Sequence, residues 1–308
     1  MPRGKPKAGF RRRKNKNGHY GITQYAEKRL AMLSEPNNVI ALPLFAKPTH
    51  NESDHEISTR INKRFNILHS LAQSAVDGDA AAVIVSGPAG LGKSYTVEEV
   101  VADWDPKGTK HTTIKGYVRA TGLFRTLYQY RHKNNVIVFD DADSIFNDET
   151  ALNMLKAVCD SNDLRTVSYL AETTLEDENG EPIPRTFDFE GSIIFITNYD
   201  FDAMIEKNHK LTPHLQALMS RSHYIDLTMK TRRDYIVRIK QVIESGMLNQ
   251  RGLDKKAEHD VVDFIERNAD KMRELSLRSA LKIATLRKRD LANWYEIADI
   301  TMCWSHKR

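Results

Sequence analysis

The chain has 308 residues, 40% hydrophobic and 28% charged, with a net charge of +5; this is enough for one large domain or a core with a smaller companion, and it excludes a wholly disordered polymer. Its apolar runs, such as Ala80 to Val85 and Val136 to Phe139, fall far short of the roughly 20 residues a membrane-crossing helix needs. The basic start lacks the apolar segment of a secretory leader, and Cys159 and Cys303 form no C-x-x-C pair and have no histidine at ligand spacing, so a soluble cytoplasmic protein without membrane partner, disulfide or zinc framework is expected.

In chain order, residues 1–20 carry eight Lys or Arg and no acid. With little apolar surface to bury, they read as a basic flexible arm, either a contact for a polyanion such as nucleic acid or a solvated start. Residues 21–55, punctuated by Pro36, Pro43 and Pro48, read as an N-terminal linker. Ile57, Ile61, Phe65, Leu68, Leu71, Ala72 and Ala75 then recur at three- and four-residue steps and predict an amphipathic helix over 56–76. An alternation follows. Strands are expected at Ala81 to Ser86, Thr112 to Lys115 and Asn135 to Asp140, with helices from Lys93, around Leu123 to Arg131 and around Ala151 to Asp160. Repeated β-then-α units imply a parallel sheet covered by helices.

Residues 164–190 interrupt this order with two β-like runs around the turn-forming stretch EDENGEP, which reads as an inserted hairpin. A strand at Ser192 to Thr197, a helix near Leu211 to Met219 and a strand at His223 to Leu227 complete a five-stranded parallel α/β core over 56–227. Residues 231–303 show helical periodicity alone, for example Val261, Val262 and Ile265, and predict a small helical domain over 228–308. The core is acidic, with 20 basic against 29 acidic residues over 21–227, and the helical domain basic, with 18 against 12.

The most specific signal follows the first strand. Gly87-Pro88-Ala89-Gly90-Leu91-Gly92-Lys93-Ser94 matches G-x-x-x-x-G-K-[ST] between a strand and a helix, and with Tyr95 it forms the candidate nucleotide-binding segment. Gly87, Gly90 and Gly92 let backbone N–H groups turn inward, while the helix start directs its positive end at the same point. Lys93 then reaches the β- and γ-phosphates and the Ser94 hydroxyl ligates Mg²⁺. The run Val136 to Phe139 delivers Asp140 and Asp141 to the carboxyl edge of the sheet, where ligands bind in open α/β folds. Asp140 suits Mg²⁺, and Asp141 can orient or deprotonate an attacking water. Asp143 is a third acid nearby. A pair of acids at a strand end is equally a helix cap or a turn when it stands alone; the upstream phosphate loop favours the chemical reading.

From these motifs onward, over roughly residues 55–295, the chain resembles the AAA+ ATPases, which implies an α/β P-loop sheet with a helical lid, ATP and Mg²⁺ as cofactors, and a homo-oligomeric, usually hexameric ring. Asn198, closing the strand Ile193-Ile-Phe-Ile-Thr197, corresponds to sensor 1, a polar group that helps place the attacking water. In Leu218-Met-Ser-Arg221-Ser-His-Tyr-Ile225, Arg221 corresponds to the arginine finger and would act in trans on the γ-phosphoryl group, an effect of about 10³-fold or more in rate. Arg278, in Leu275-Ser-Leu-Arg278-Ser-Ala-Leu281, corresponds to sensor 2 on a lid helix. Asp141 departs from the family's usual glutamate by one methylene, so slower hydrolysis is one expectation. IPRTFDFEGSIIFITN and ALMSRSHYIDL look like short phage-encoded AAA+ ATPases, which implies the cytoplasm of a bacterial or phage-infected cell.

The segment Lys115-Gly-Tyr117-Val-Arg119 occupies the family's usual place for a substrate loop. Tyr117 there can grip polypeptide or stack on a base, with Lys115 and Arg119 suited to a phosphate backbone, or it can pack beneath the next helix. Three readings of function follow. The first is an ATP-hydrolysing motor or loader on DNA or a DNA-bound protein, supported by the arm and by Arg287-Lys-Arg289. The second is a protein remodeller without direct nucleic-acid binding, and the third a nucleotide-regulated scaffold with little turnover.

Overall fold

The computed structural model describes residues 13–14, 20–21, 52–160, 162, 164–172 and 174–305. Before residue 52, Arg13–Lys14 pairs antiparallel with Tyr20–Gly21; the remainder of the expected arm and most of the expected linker lie outside the described residues. Glu52–Arg308 forms one compact unit. No helix among the described residues is long and apolar enough to cross a membrane.

Helix α1 (Asp54–Asp77) starts at a capping box, in which Ser53 Oγ accepts from the Glu56 N–H and the Glu56 carboxylate accepts from the Ser53 N–H, and it stops at Gly78 in the left-handed region. Both devices satisfy helix-end groups that would otherwise lack partners. Its buried stripe of Ile57, Ile61, Phe65, Leu68, Ala72 and Ala75 lies on the spacing the sequence predicts.

The sheet is built from β1 (Ala82–Ser86), β2 (His111–Lys115), β3 (Val136–Asp140), β6 (Ser192–Thr197) and β7 (His223–Asp226). Between them come α2 (Lys93–Trp104), α3 (Ala120–Gln129), α4 (Glu149–Val158), the hairpin strands β4 (Arg165–Ser168) and β5 (Thr186–Phe189), α5 (Phe201–Glu206) and α6 (Thr212–Met219). The five strands run in the order β2-β3-β6-β1-β7, all parallel, as the α/β expectation requires. The three central strands are buried along their whole length, which is why they read as unbroken apolar runs rather than alternating ones. Their alternate residues feed two cores, Ile84, Ile137, Phe139, Ile193 and Phe195 on one face, and Val83, Val85, Val136, Val138, Ile194 and Ile196 on the other.

Register decides what meets at the carboxyl edge. Ser86 stands opposite Thr197 and Asp226, and Asp140 opposite Ile196 and Lys115. The loops leaving β1, β2, β3 and β6 therefore start side by side.

The hairpin forms as expected. β4 and β5 pair antiparallel with alternating burial, and Phe187 packs against Phe124 and Tyr128 of α3 at ring-centroid distances of 5.0 and 5.3 Å. Arg165 locks its base, donating from Nη1 to the Val158 carbonyl at 2.8 Å and from Nη2 to the Gly191 carbonyl at 2.7 Å. The six-residue α5 and a 3₁₀ turn at Asp143–Asn147 are additions to the sequence reading; both are too short to establish a periodicity.

Four further helices, α7 (Arg232–Glu244), α8 (Lys255–Asn268), α9 (Leu277–Arg289) and α10 (Trp294–Met302), enclose their own core around Ile239, Val261, Phe264, Ala280 and Ile283. Thr231, Asp254 and Ser276 cap the first three. This helical cover touches the sheet domain at defined points, including the Leu277 N–H donating to the Gly90 carbonyl at 2.8 Å and Gln241 donating to Ser58.

Candidate nucleotide site

The loop Gly87–Gly92 joins β1 to α2 and is shaped by residues without side chains. Gly90 has φ 74° and Gly92 φ 97°, both left-handed values that favour glycine. A Cβ on Gly90 would stand 2.7 Å from Ser276 Cβ, so the helical cover can approach the loop only because that atom is missing. Leu91 is fully buried, whereas Tyr95, on the first turn of α2, is exposed.

Lys93, 5% exposed, donates to the carbonyls of Gly87 at 2.6 Å and Pro88 at 2.9 Å and to Asn198 Oδ1 at 3.0 Å. Burial pulls its pKa down to about 8; Asp141 and Asp140 oppose that shift, and the charge of Arg278 adds to it. Asn198 then donates from Nδ2 to Asp141 Oδ1 at 2.6 Å, so Lys93, Asn198 and Asp141 form a continuous hydrogen-bonded row. Asp141 holds φ 53°, a costly conformation for a residue with a Cβ. Its N–H donates to the Ile196 carbonyl at 3.1 Å, which pins the peptide while the carboxylate is turned toward Asn198.

Beside this row, Ser94 Oγ donates to Asp140 Oδ1 at 2.8 Å. The other oxygen of that buried carboxylate lies 3.1 Å from Lys115 Nζ, which also holds Glu98 at 2.8 Å. A hydroxyl next to a carboxylate is a hard oxygen pair of the kind that suits Mg²⁺. Among the described residues no cluster of three or more His, Cys, Asp or Glu is arranged to hold an ion, and a cation here would take its other ligands from phosphate and water. Asp143 accepts from Thr197 Oγ1 at 2.6 Å, and burial raises its pKa.

Neither the position of Arg238 nor the pairing of Lys115 is written in the local sequence; the Lys115 ammonium joins Asp140 to Glu98 rather than standing free for a substrate backbone. Arg238 of α7 donates from Nε to the Leu91 carbonyl at 3.2 Å, and its one legible signal was a cation set among Ile236, Val237 and Ile239 on a core-facing stripe. Arg278 lies on the exposed side of α9, close enough to act on Lys93. Arg221 is held elsewhere, with Nη1 on the Ala217 carbonyl at 2.9 Å and Nε 3.6 Å from Asp160.

A cleft of about 980 Å³ shares no lining residue with the phosphate loop; it is bounded by Tyr117 and Arg119, by Asn153 and Met154 of α4, and by Thr166 and Leu170 of the hairpin region. Tyr117 is 75% exposed and Leu170 79%.

Residues 83–197 match the family model described as "ATPase family associated with various cellular activities (AAA)". The chain is 36% identical over 249 residues to an uncharacterised 36.7 kDa protein from the nrdC-mobD intergenic region of Enterobacteria phage T4, covering 80% of this chain and 76% of that one. Among solved structures it is similar to the Thermotoga maritima RuvB Holliday junction branch migration motor, with 14% identity, TM-score 0.45, and coverage of 79% of this chain and 68% of that one. It is also similar to domain III of the Thermotoga maritima replication initiation protein DnaA, with 9% identity, TM-score 0.43, and coverage of 78% and 89%. The chain therefore belongs to the AAA+ family of P-loop ATPases.

Proposed function

We propose that the chain is an ATP-driven motor or loader that works as a homo-oligomeric ring, most simply a hexamer, on nucleic acid or a nucleoprotein in the cytoplasm of a phage-infected cell. The observation that carries the catalytic part is the row Lys93–Asn198–Asp141 lying beside the Ser94–Asp140 pair. In this reading Lys93 and the amides of Gly87 to Tyr95 bind the triphosphate, and Ser94 with Asp140 holds Mg²⁺, which when bound neutralises charge on the phosphate oxygens. Asp141 orients the attacking water and accepts its proton, while Asn198 keeps that carboxylate facing the phosphate-binding lysine. Arg278 senses the nucleotide from α9.

Arg221 completes the site of a neighbouring subunit. In its own chain it pairs with half-exposed Asp160, an ion pair of a kind worth at most about 1 kcal/mol and so readily exchanged for a phosphoryl group across an interface.

Nucleic acid is favoured as substrate by the eight cations of residues 1–20, which suit a phosphate backbone. The stretch Arg287-Lys-Arg289 adds less than its charge suggests, because Arg287 pairs with Asp260 at 2.7 Å and Lys288 donates to the Arg251 carbonyl. A protein substrate is the second reading, favoured by exposed Tyr117 and Leu170 beside the cleft at the hairpin. The test is the ATPase rate per subunit as a function of protein concentration, with single-stranded DNA, double-stranded DNA or an unfolded protein added. A rate that rises with concentration and with DNA supports the proposal; stimulation by the unfolded protein alone favours the remodeller; absence of turnover in every arm leaves a nucleotide-regulated scaffold.

A further inference from the structure

We infer that Arg238 is a second nucleotide-binding residue contributed by the helical cover, its guanidinium supplying positive charge and hydrogen bonds to the phosphate groups of a nucleotide seated on Gly87–Ser94. The inference rests on the reading of that loop as the nucleotide site and adds to it a residue that the loop motif does not include.

Arg238 is 9% exposed and stands on α7 among buried Ile236, Val237 and Ile239. Its guanidinium carbon lies 3.4 Å from the centroid of the Phe65 ring, Nε is fixed by the Leu91 carbonyl, and Nη2 is 3.4 Å from where a Cβ on Gly92 would stand. Gly92 is the N-cap of α2, so the group sits against the helix start whose free amides and dipole attract anions. Two other arginines of the helical cover have acid partners: Arg233 has Asp54 and Glu266, and Arg287 has Asp260. Among the described residues Arg238 has none, and neither Nη atom has an acceptor. Burial alone pulls its pKa down to about 10.

A desolvated cation without a counter-charge costs folding free energy, and stacking on Phe65 offsets that cost in part. Full compensation requires an anion that arrives from outside, and a phosphate matches both the forked donors and the adjoining helix start. A packing tether would behave differently. It would stabilise the chain with or without nucleotide, whereas an uncompensated cation weakens the free chain and strengthens the complex.

Arg238→Met and Arg238→Lys in the full chain separate the two, using thermal unfolding without ligand and affinities for adenosine, ADP and ATP. The Met variant is expected to melt at or above the wild-type temperature without nucleotide, to bind ADP and ATP about tenfold or more weakly, and to bind adenosine as the wild type does, with Lys recovering part of the loss. Unchanged ADP and ATP affinity would overturn the inference. So would a lowered melting temperature with equal losses for adenosine and ADP, the pattern of a tether. A wild-type chain that binds ADP no better than its Lys93→Ala variant would overturn the loop reading itself, and this inference with it.

Discussion

Two loops leave the same edge of the sheet and are built in opposite ways. The loop after β1 is covered from above: Gly90 lies against Ser276, Lys93 is buried, and its ammonium has three acceptors. The loop after β2 stands open: Gly116 would meet nothing within 4 Å of an added Cβ, and Tyr117 points its ring into solvent. A site for a small, highly charged ligand gains from donors fixed in advance. A surface for a long polymer needs reach and exposed aromatic area instead. Lys115 links the two, because it begins the open loop and holds the acid assigned to the metal.

Substitutions can break this contrast in order of size. Lys93→Ala should abolish measurable nucleotide binding, since it removes a cation that neither Asn198 nor the loop amides replace; retained affinity in equilibrium titration would mean that the phosphates bind elsewhere. Gly90→Ala must accept both a left-handed φ and a 2.7 Å overlap with Ser276, and a loss of about 1–3 kcal/mol in denaturant unfolding is expected. Tyr117→Ala should reduce the stimulated ATPase rate severalfold, and full stimulation would show that the exposed ring does not engage the substrate. Gly116→Ala meets open space, so only its φ of 90° is penalised and a loss of about 1 kcal/mol or less is expected. Equal costs at the two glycines would remove the distinction between a covered and an open loop.

Much of the covered loop was legible because its chemistry is local. Eight contiguous residues between a buried strand and a helix specify the candidate phosphate site, and the apolar runs ending in Asp140 and Asn198 bring the acid and the amide to the same edge once the sheet is parallel. The hairpin was legible from its turn residues and alternation. Other features arise only from register and docking. The pairing of Lys115 with Asp140 follows from β2 lying beside β3 in one alignment. Arg238 reaches Leu91 because α7 packs across a gap of 147 residues in sequence, and nothing near either residue marks the contact. The left-handed turn at Asp141 is likewise invisible in the string, where Asp-Asp reads as an ordinary strand end.

In the proposed ring the chemical site is divided between chains, with Asp141 in one subunit and Arg221 in the next. Preparing Asp141→Asn and Arg221→Ala separately, confirming that each is inactive, and measuring ATP hydrolysis after mixing them tests this division. The mixture is expected to regain activity, because some interfaces then join an intact Asp141 to an intact Arg221. A mixture that stays as inactive as its components, although the two variants co-assemble, would contradict a shared site.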